Sequence, residues 1–143
     1  MMNEIVKKKK DLRKKLTEKR NLIKKNETLE FNIDAFYKLT EKIELNKVDY
    51  VGSFISIRSE ILTIQLNQQI INLNKTLSFP KIENNSHELI FKKFFANQKL
   101  KLGKFNIPEP SQGNLEIFPD LFFVPCLGFD LSGFRIGYGG GFY

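Results

Sequence analysis

Short apolar runs rich in β-branched and aromatic residues recur along this chain, and stretches of helical periodicity separate them. Residues 49–57, 76–82, 89–95 and 120–125 read as strands, the last of them stopped by Pro125. Between them, Ile33, Phe36, Tyr37, Leu39 and Ile43 fall at helical spacing within residues 32–45. A further helix is expected from Glu60 to about Leu73, with Ser59 as its N-cap. Two alternating periods predict an α/β layer fold with a mainly parallel sheet. Gly52 inside the first run predicts a close approach of another group. Residues 103–113 hold two prolines and two glycines and predict a structured loop.

At 143 residues and 41% hydrophobic content, the chain is the size of one domain with a packed core. No apolar run reaches membrane-spanning length, which predicts a soluble cytoplasmic protein without membrane contact. A single cysteine, Cys126, excludes an internal disulfide framework, and no Cys/His cluster has zinc spacing. Cys126 sits in an apolar Pro-Cys-Leu context and is expected to be buried filler. His87 falls in a polar loop and is expected to face solvent.

The formal charge of +7 is unevenly spread. Residues 1–25 carry 11 Lys and Arg against Glu4, Asp11 and Glu18, whereas the rest carries 12 basic and 13 acidic residues. One basic element, not a basic surface, is therefore expected: a helix over about residues 2–25. Its apolar stripe runs Ile5, Leu12, Leu16 and Ile23, with Lys9 and Lys19 interrupting it. Arg13 lies one turn beyond Lys9. Two readings stay open for this run: a solvated face, or a cationic edge that meets an anion.

Chemistry in such folds collects beyond the carboxyl ends of the strands. Glu60, expected at a helix start, could accept hydrogen bonds from a ligand's NH groups; it could equally complement the helix dipole alone. The tail is less ordinary. Arg135 precedes a run in which Gly137, Gly139, Gly140 and Gly141 lie within seven residues of Tyr143. Glycines let main-chain amides converge on phosphate oxygens, and a guanidinium adds a bidentate contact. The run fits neither the P-loop nor the dinucleotide fingerprint, and a loose tail competes with a binding loop.

Taken together, several segments resemble the 5-formyltetrahydrofolate cyclo-ligase (5,10-methenyltetrahydrofolate synthetase) family. Lys9-Lys10-Asp11-Leu12-Arg13 is similar to its amino-terminal Lys-x-x-Leu-Arg signature. Residues 53–63 resemble its strand-to-helix segment, Phe79-Pro80-Lys81 its next strand end, and residues 103–110 its Gly-x-x-x-Ile-x-Glu-Pro loop. Residues 124–143 fit its most specific motif nearly throughout. Gly140 stands where many relatives have lysine, and Phe142 where tyrosine is common.

The resemblance implies a three-layer Rossmann-like fold, here with C-terminal elements missing, and a magnesium-assisted, ATP-dependent conversion of 5-formyltetrahydrofolate to 5,10-methenyltetrahydrofolate. It implies that Lys9, Lys10, Asp11, Leu12 and Arg13 meet ATP, together with Arg135, Ile136, Gly137, Tyr138, Gly139, Gly140, Gly141, Phe142 and Tyr143. Ile55 and Glu60 would hold the folate, with Tyr138, Gly139, Gly140, Gly141 and Phe142 touching it too. Lys81 is a lesser candidate near the phosphates, and Glu109 is expected to hold its loop. Relatives continue past this point with an aspartate implicated in magnesium binding, so no metal ligand is expected within these residues and a poorly active, monomeric fragment is the expectation. The rival is a module whose basic helix docks on RNA or an acidic partner. No aromatics interleave with the lysines, which weighs against nucleic acid.

Overall fold

The computed structural model describes residues 2–26, 31–83 and 88–143. The expectation for His87 lies outside the described residues. The chain opens with helix α1 (Met2–Asn26), followed by α2 (Ile33–Lys42), β1 (Tyr50–Gly52), α3 (Ile64–Asn72), β2 (Thr76–Ile82) and β3 (Leu89–Lys93). Short strands then follow: β4 (Lys101–Leu102), β5 (Pro108–Glu109), β6 (Glu116–Ile117), β7 (Leu121–Phe122), β8 (Gly128–Phe129) and β9 (Arg135–Ile136). No helix among the described residues is long and apolar enough to cross a membrane.

The main sheet has the order β6-β3-β2-β1-β7. Strands β2 and β7 run parallel to β1, β3 runs antiparallel to β2, and β6 runs antiparallel to β3. Four of the five strands therefore point one way, as the alternation predicted, and β3 is the exception. Only the residues numbered 83–88 separate β2 from β3. A parallel return needs a dozen or more residues, so this connection forces a hairpin-like reversal.

Val51, Leu77 and Phe79 lie on one face of the sheet and pack with Phe36 of α2, Leu45, and Leu66 and Ile70 of α3. These are β-branched, leucyl and aromatic side chains at strand and helix periods, so one apolar layer forms between sheet and helices. Asn32 caps α2 through its side chain, which accepts from the Ala35 amide at 2.9 Å. On the other face the rings of Phe91 and Phe122 meet edge-on, with centroids 5.1 Å apart. They meet over Gly52, where a Cβ would lie 2.9 Å from both rings. This is the close approach that the glycine foretold.

Several expected elements are shorter than their runs: the stretch 89–95 gives only Leu89–Lys93 as strand, 120–125 only Leu121–Phe122, and the first strand and the helix after it shrink as well. The run 49–57 contributes only Tyr50–Gly52 as strand, because Ser53 onward turns off toward α3. The Ser53 amide still bonds Ser78 O at 2.9 Å, and its Oγ donates to Asn67 Oδ1 at 2.6 Å. The helix expected from Glu60 begins at Ile64, with Thr63 in the cap position. Thr63 spends its hydroxyl on Phe54 O at 2.8 Å and its amide on Ser56 Oγ at 2.8 Å. Those bonds hold residues 54–63 as an ordered crossover and delay the helix by about one turn.

Gly52→Ala should cost about 1–3 kcal/mol by overpacking the Phe91–Phe122 contact. Gly113→Ala, which meets nothing within 4 Å, should change stability by less than about 0.5 kcal/mol. Urea midpoints of the two variants against the parent chain check both.

Candidate functional site

Four segments far apart in sequence wall a cavity of about 770 Å³. The crossover after β1 supplies Ile55, Ile57 and Glu60; the loop around β5 supplies Pro108 and Glu109; α1 and the glycine run supply Arg13 and Arg135. Gly137, Tyr138, Gly139, Gly140, Gly141, Phe142 and Tyr143 complete the lining.

The glycine run is aimed by a small hairpin. Strands β8 and β9 pair antiparallel, Gly128 opposite Ile136 and Phe129 opposite Arg135. Asp130 closes the turn: its Oδ1 accepts from the amides of Ser132 and Phe134, each at 2.9 Å. That is the local bonding a short acidic side chain offers its own turn. Beyond β9 the backbone enters positive φ at Gly139 and Gly141, at 94° and 72°. Side chains are disfavoured there, so bare main chain faces the cavity.

Helix α1 meets this hairpin through cations that donate to main-chain carbonyls. Arg13 Nε donates to Gly137 O at 3.0 Å, and its guanidinium lies against Gly139, where a Cβ would come within 3.2 Å of Cζ. Arg20 donates to Ser59 O and Cys126 O, and Lys24 Nζ to Arg58 O. The face that packs is therefore Arg13, Leu16, Thr17, Arg20 and Ile23, all partly buried. This corrects the expected stripe: Ile5, Lys9, Leu12 and Lys19 are exposed. The helix turns toward the carbonyls that its arginines can satisfy, and its first half extends past the body.

The expected nucleotide residues consequently divide. Arg13, Arg135, Gly137, Tyr138, Gly139, Gly140, Gly141, Phe142 and Tyr143 come together around the cavity. Lys9, Lys10, Asp11 and Leu12 are exposed on α1 and do not line it. Ile136 serves the hairpin, its carbonyl accepting from the Leu127 amide at 2.8 Å. Lys81 is ion-paired with Glu109 rather than open to an anion. Glu109 does hold its loop: its carboxylate fills the space where a Cβ on Gly103 would sit. Cys126 is partly exposed, not buried filler, and its carbonyl is the useful atom.

Glu60 is buried, in the turn before α3 and not at its first residue. One carboxylate oxygen accepts from the Ile57 amide at 2.9 Å. Burial raises the Tyr138 phenol above its ordinary value, and the Glu60 carboxylate pushes the same way while Arg20 opposes it. Tyr143 is pushed higher still, by burial first and by Glu60 second. A buried carboxylate flanked by two protonated phenols is a hydrogen-bonding wall for a ligand with NH and carbonyl groups.

A family model described as the 5-formyltetrahydrofolate cyclo-ligase family matches residues 5–143. The chain belongs to that family. It is 31% identical over 106 residues to a 5-formyltetrahydrofolate cyclo-ligase of Haemophilus influenzae, covering 71% of this chain and 57% of the relative. A mouse cyclo-ligase is 24% identical over 144 residues, covering 94% of this chain and 71% of the relative. The chain thus spans little more than half the length of the Haemophilus protein. Among solved structures, the Aquifex aeolicus 5,10-methenyltetrahydrofolate synthetase superposes with a TM-score of 0.68 at 27% identity, over 94% of this chain and 69% of that one. A Mycoplasma pneumoniae 5,10-methenyltetrahydrofolate synthetase shares the fold, with a TM-score of 0.57 at 18% identity, over 94% of this chain and 74% of that one.

Sequence reasoning about this chain missed Arg20, Ser56 and Asn67. Arg20 is one cation in a run of many, and nothing in the spacing singles it out. Ser56 lies in a crossover that the sequence read partly as strand and helix, and Asn67, in α3, meets Ser53 Oγ and Phe54 O across it.

The tyrosines give this site a pH signature. Their folded values lie above the ordinary 10.0. Their contribution to stability is therefore complete below about pH 10 and is lost as pH rises through the folded values. Glu60→Gln removes the carboxylate charge, so both phenols should ionise at lower pH and the alkaline fall in stability should become shallower. Absorbance at 295 nm and urea midpoints between pH 8 and 12 (roughly) measure the two effects.

Proposed function

We propose that this chain carries out the family's ATP-dependent ring closure, converting 5-formyltetrahydrofolate to 5,10-methenyltetrahydrofolate with release of ADP and phosphate. The supporting observation is that Arg13 from the first helix and the run Arg135–Tyr143 line one cavity with Ile55 and Glu60. A phosphate-binding half and a folate-binding half thus face one another.

The formyl oxygen on N5 is a poor leaving group. Transfer of the γ-phosphoryl group of ATP to that oxygen breaks the bond to ADP, leaving the oxygen phosphorylated and the formyl carbon electrophilic. N10 then attacks this carbon, the proton on N10 departs, and the C–O bond breaks to release inorganic phosphate. Charge accumulates on phosphoryl oxygens in the first step, so fixed donors aimed there lower its barrier. Arg13 uses one of its five N–H groups on Gly137 O, and a guanidinium so anchored presents its remaining edge without reorganising. The glycines at 137 and 139–141 let the phosphates approach main chain. Glu60 takes pterin NH groups, while Ile55 packs against the ring. Holding both substrates in one cavity turns a bimolecular transfer into an intramolecular one.

Among the described residues no group of three or more His, Cys, Asp or Glu could hold a metal. The two carboxylates that line the cavity, Glu60 and Glu109, are already engaged by the Ile57 amide and Lys81. These residues do not fit a magnesium cage, and the steps above assign the ion no ligand among them. The reading places the chain in the cytoplasm as a monomer. The solvated Lys7–Lys10 run, the basis of the rival docking module, lies outside the cavity.

Arg13→Ala should weaken ATP binding roughly tenfold to hundredfold, the usual loss for a charge-assisted bond, and leave 5-formyltetrahydrofolate binding within about twofold. Glu60→Ala should do the reverse. Calorimetric titration of each ligand, with methenyltetrahydrofolate absorbance as the activity readout, tests the reading. If Arg13→Ala leaves ATP affinity intact, or the parent chain binds neither ligand, the reading fails.

A further inference from the structure

The chemistry above leaves one well-connected cation without a part. Arg20 Nε and Nη2 both donate to the Ser59 carbonyl, at 3.2 and 2.9 Å, and Nη1 donates to Cys126 O at 2.8 Å. Its guanidinium carbon lies 6.0 Å from the centre of the Tyr138 ring. Four segments meet at this one side chain: α1, the turn that carries Glu60, the stretch after β7, and the glycine run.

The Ser59 carbonyl belongs to the peptide unit that joins Ser59 to Glu60. Because that unit is planar, fixing its oxygen fixes the plane from which the Glu60 Cα departs. Two donors on one oxygen with a third on another need a rigid fork, and an ammonium cannot reproduce that geometry. Arg13 and Arg20 are seven residues apart, two turns of one helix, so they share a face. Lys24, one turn further, donates to Arg58 O on the same turn. A single rigid helix thereby touches the glycine run at one point and braces the Glu60 turn at the next.

We propose that Arg20 is a positioning residue of the folate half of the cavity: without touching the substrate, it fixes the Ser59–Glu60 peptide and the Tyr138 ring so that both side chains present to one ligand. This inference rests on the folate reading above. Tyr138 supplies an internal gauge, since it faces Glu60 and Arg20 and the Arg20 charge favours its ionised form.

The test uses Arg20→Met and Arg20→Lys in the full chain, with Tyr138→Phe to assign the Tyr138 ionisation at 295 nm. Arg20→Met should move that ionisation to higher pH. Arg20→Lys keeps the charge and should leave it near its original place. Both variants should lose roughly tenfold or more in 5-formyltetrahydrofolate affinity, with ATP affinity within about twofold of the parent. The proposal is overturned if Arg20→Lys keeps full folate affinity, or if the variants weaken ATP and folate alike. Should Arg20→Met fail to fold, Arg20→Lys decides by folate affinity. If the parent chain binds no 5-formyltetrahydrofolate, the functional reading fails by itself, and the Tyr138 ionisation in Arg20→Met then decides whether Arg20 bears on that ring.

Discussion

A guanidinium bonded to a main-chain carbonyl ties the two ends of this chain together. Arg13 and Gly137 are 124 residues apart in sequence, and the bond between them sets α1 against the glycine run. Arg20 and Lys24 repeat the same chemistry two and three turns on, toward Cys126, Ser59 and Arg58. Of the described apolar side chains of α1, Leu16 and Ile23 are partly buried while Ile5, Val6, Leu12 and Leu22 are exposed, so these polar bonds decide which face it turns inward. A carbonyl at the wall of a cavity is poorly hydrated and benefits from a charged donor. The donor in turn keeps its remaining N–H groups for an incoming anion.

The rest of the site depends on where the parallel sheet sends its crossover. Strand β1 is only three residues long, and it releases the chain beside β2. Ser56, Thr63 and Asn67 then satisfy main-chain groups of the crossover, at Ile61 O, the Thr63 amide and Phe54 O. An irregular segment can be half-buried only when its polar groups are paired in this way. Glu60 then sits in a buried turn, one carboxylate oxygen accepting from the Ile57 amide, facing Tyr138 and Tyr143. The loop opposite is set by a similar device, the Glu109 carboxylate lodged against Gly103 and paired with Lys81.

Much of this was legible in the residues. The bounds of β2 match its apolar run, and the crowding at Gly52 is what an in-strand glycine implies. The Arg135–Tyr143 run, with its family resemblance, located one wall of the cavity. The phase of α1 was not legible, because a helix with cations all round carries little periodic signal and its orientation comes from carbonyls elsewhere in the fold. For the same reason Lys9 read as part of the packed stripe although it is exposed. Glu60 read as a helix start because hydrogen bonds made by Ser56 and Thr63 are tertiary facts. The direction of β3 was recoverable: a six-residue connection cannot carry a parallel crossover.

The central claim is that Arg13 and the main chain around Gly137–Gly141 close on one set of phosphoryl groups. A crystal structure of this chain with a non-hydrolysable ATP analogue tests it most directly. The account predicts the terminal phosphates between the Arg13 and Arg135 guanidinium groups, within hydrogen-bond distance of glycine-run amides. An analogue seated along Lys7–Lys10, with the cavity holding no phosphate, would contradict it.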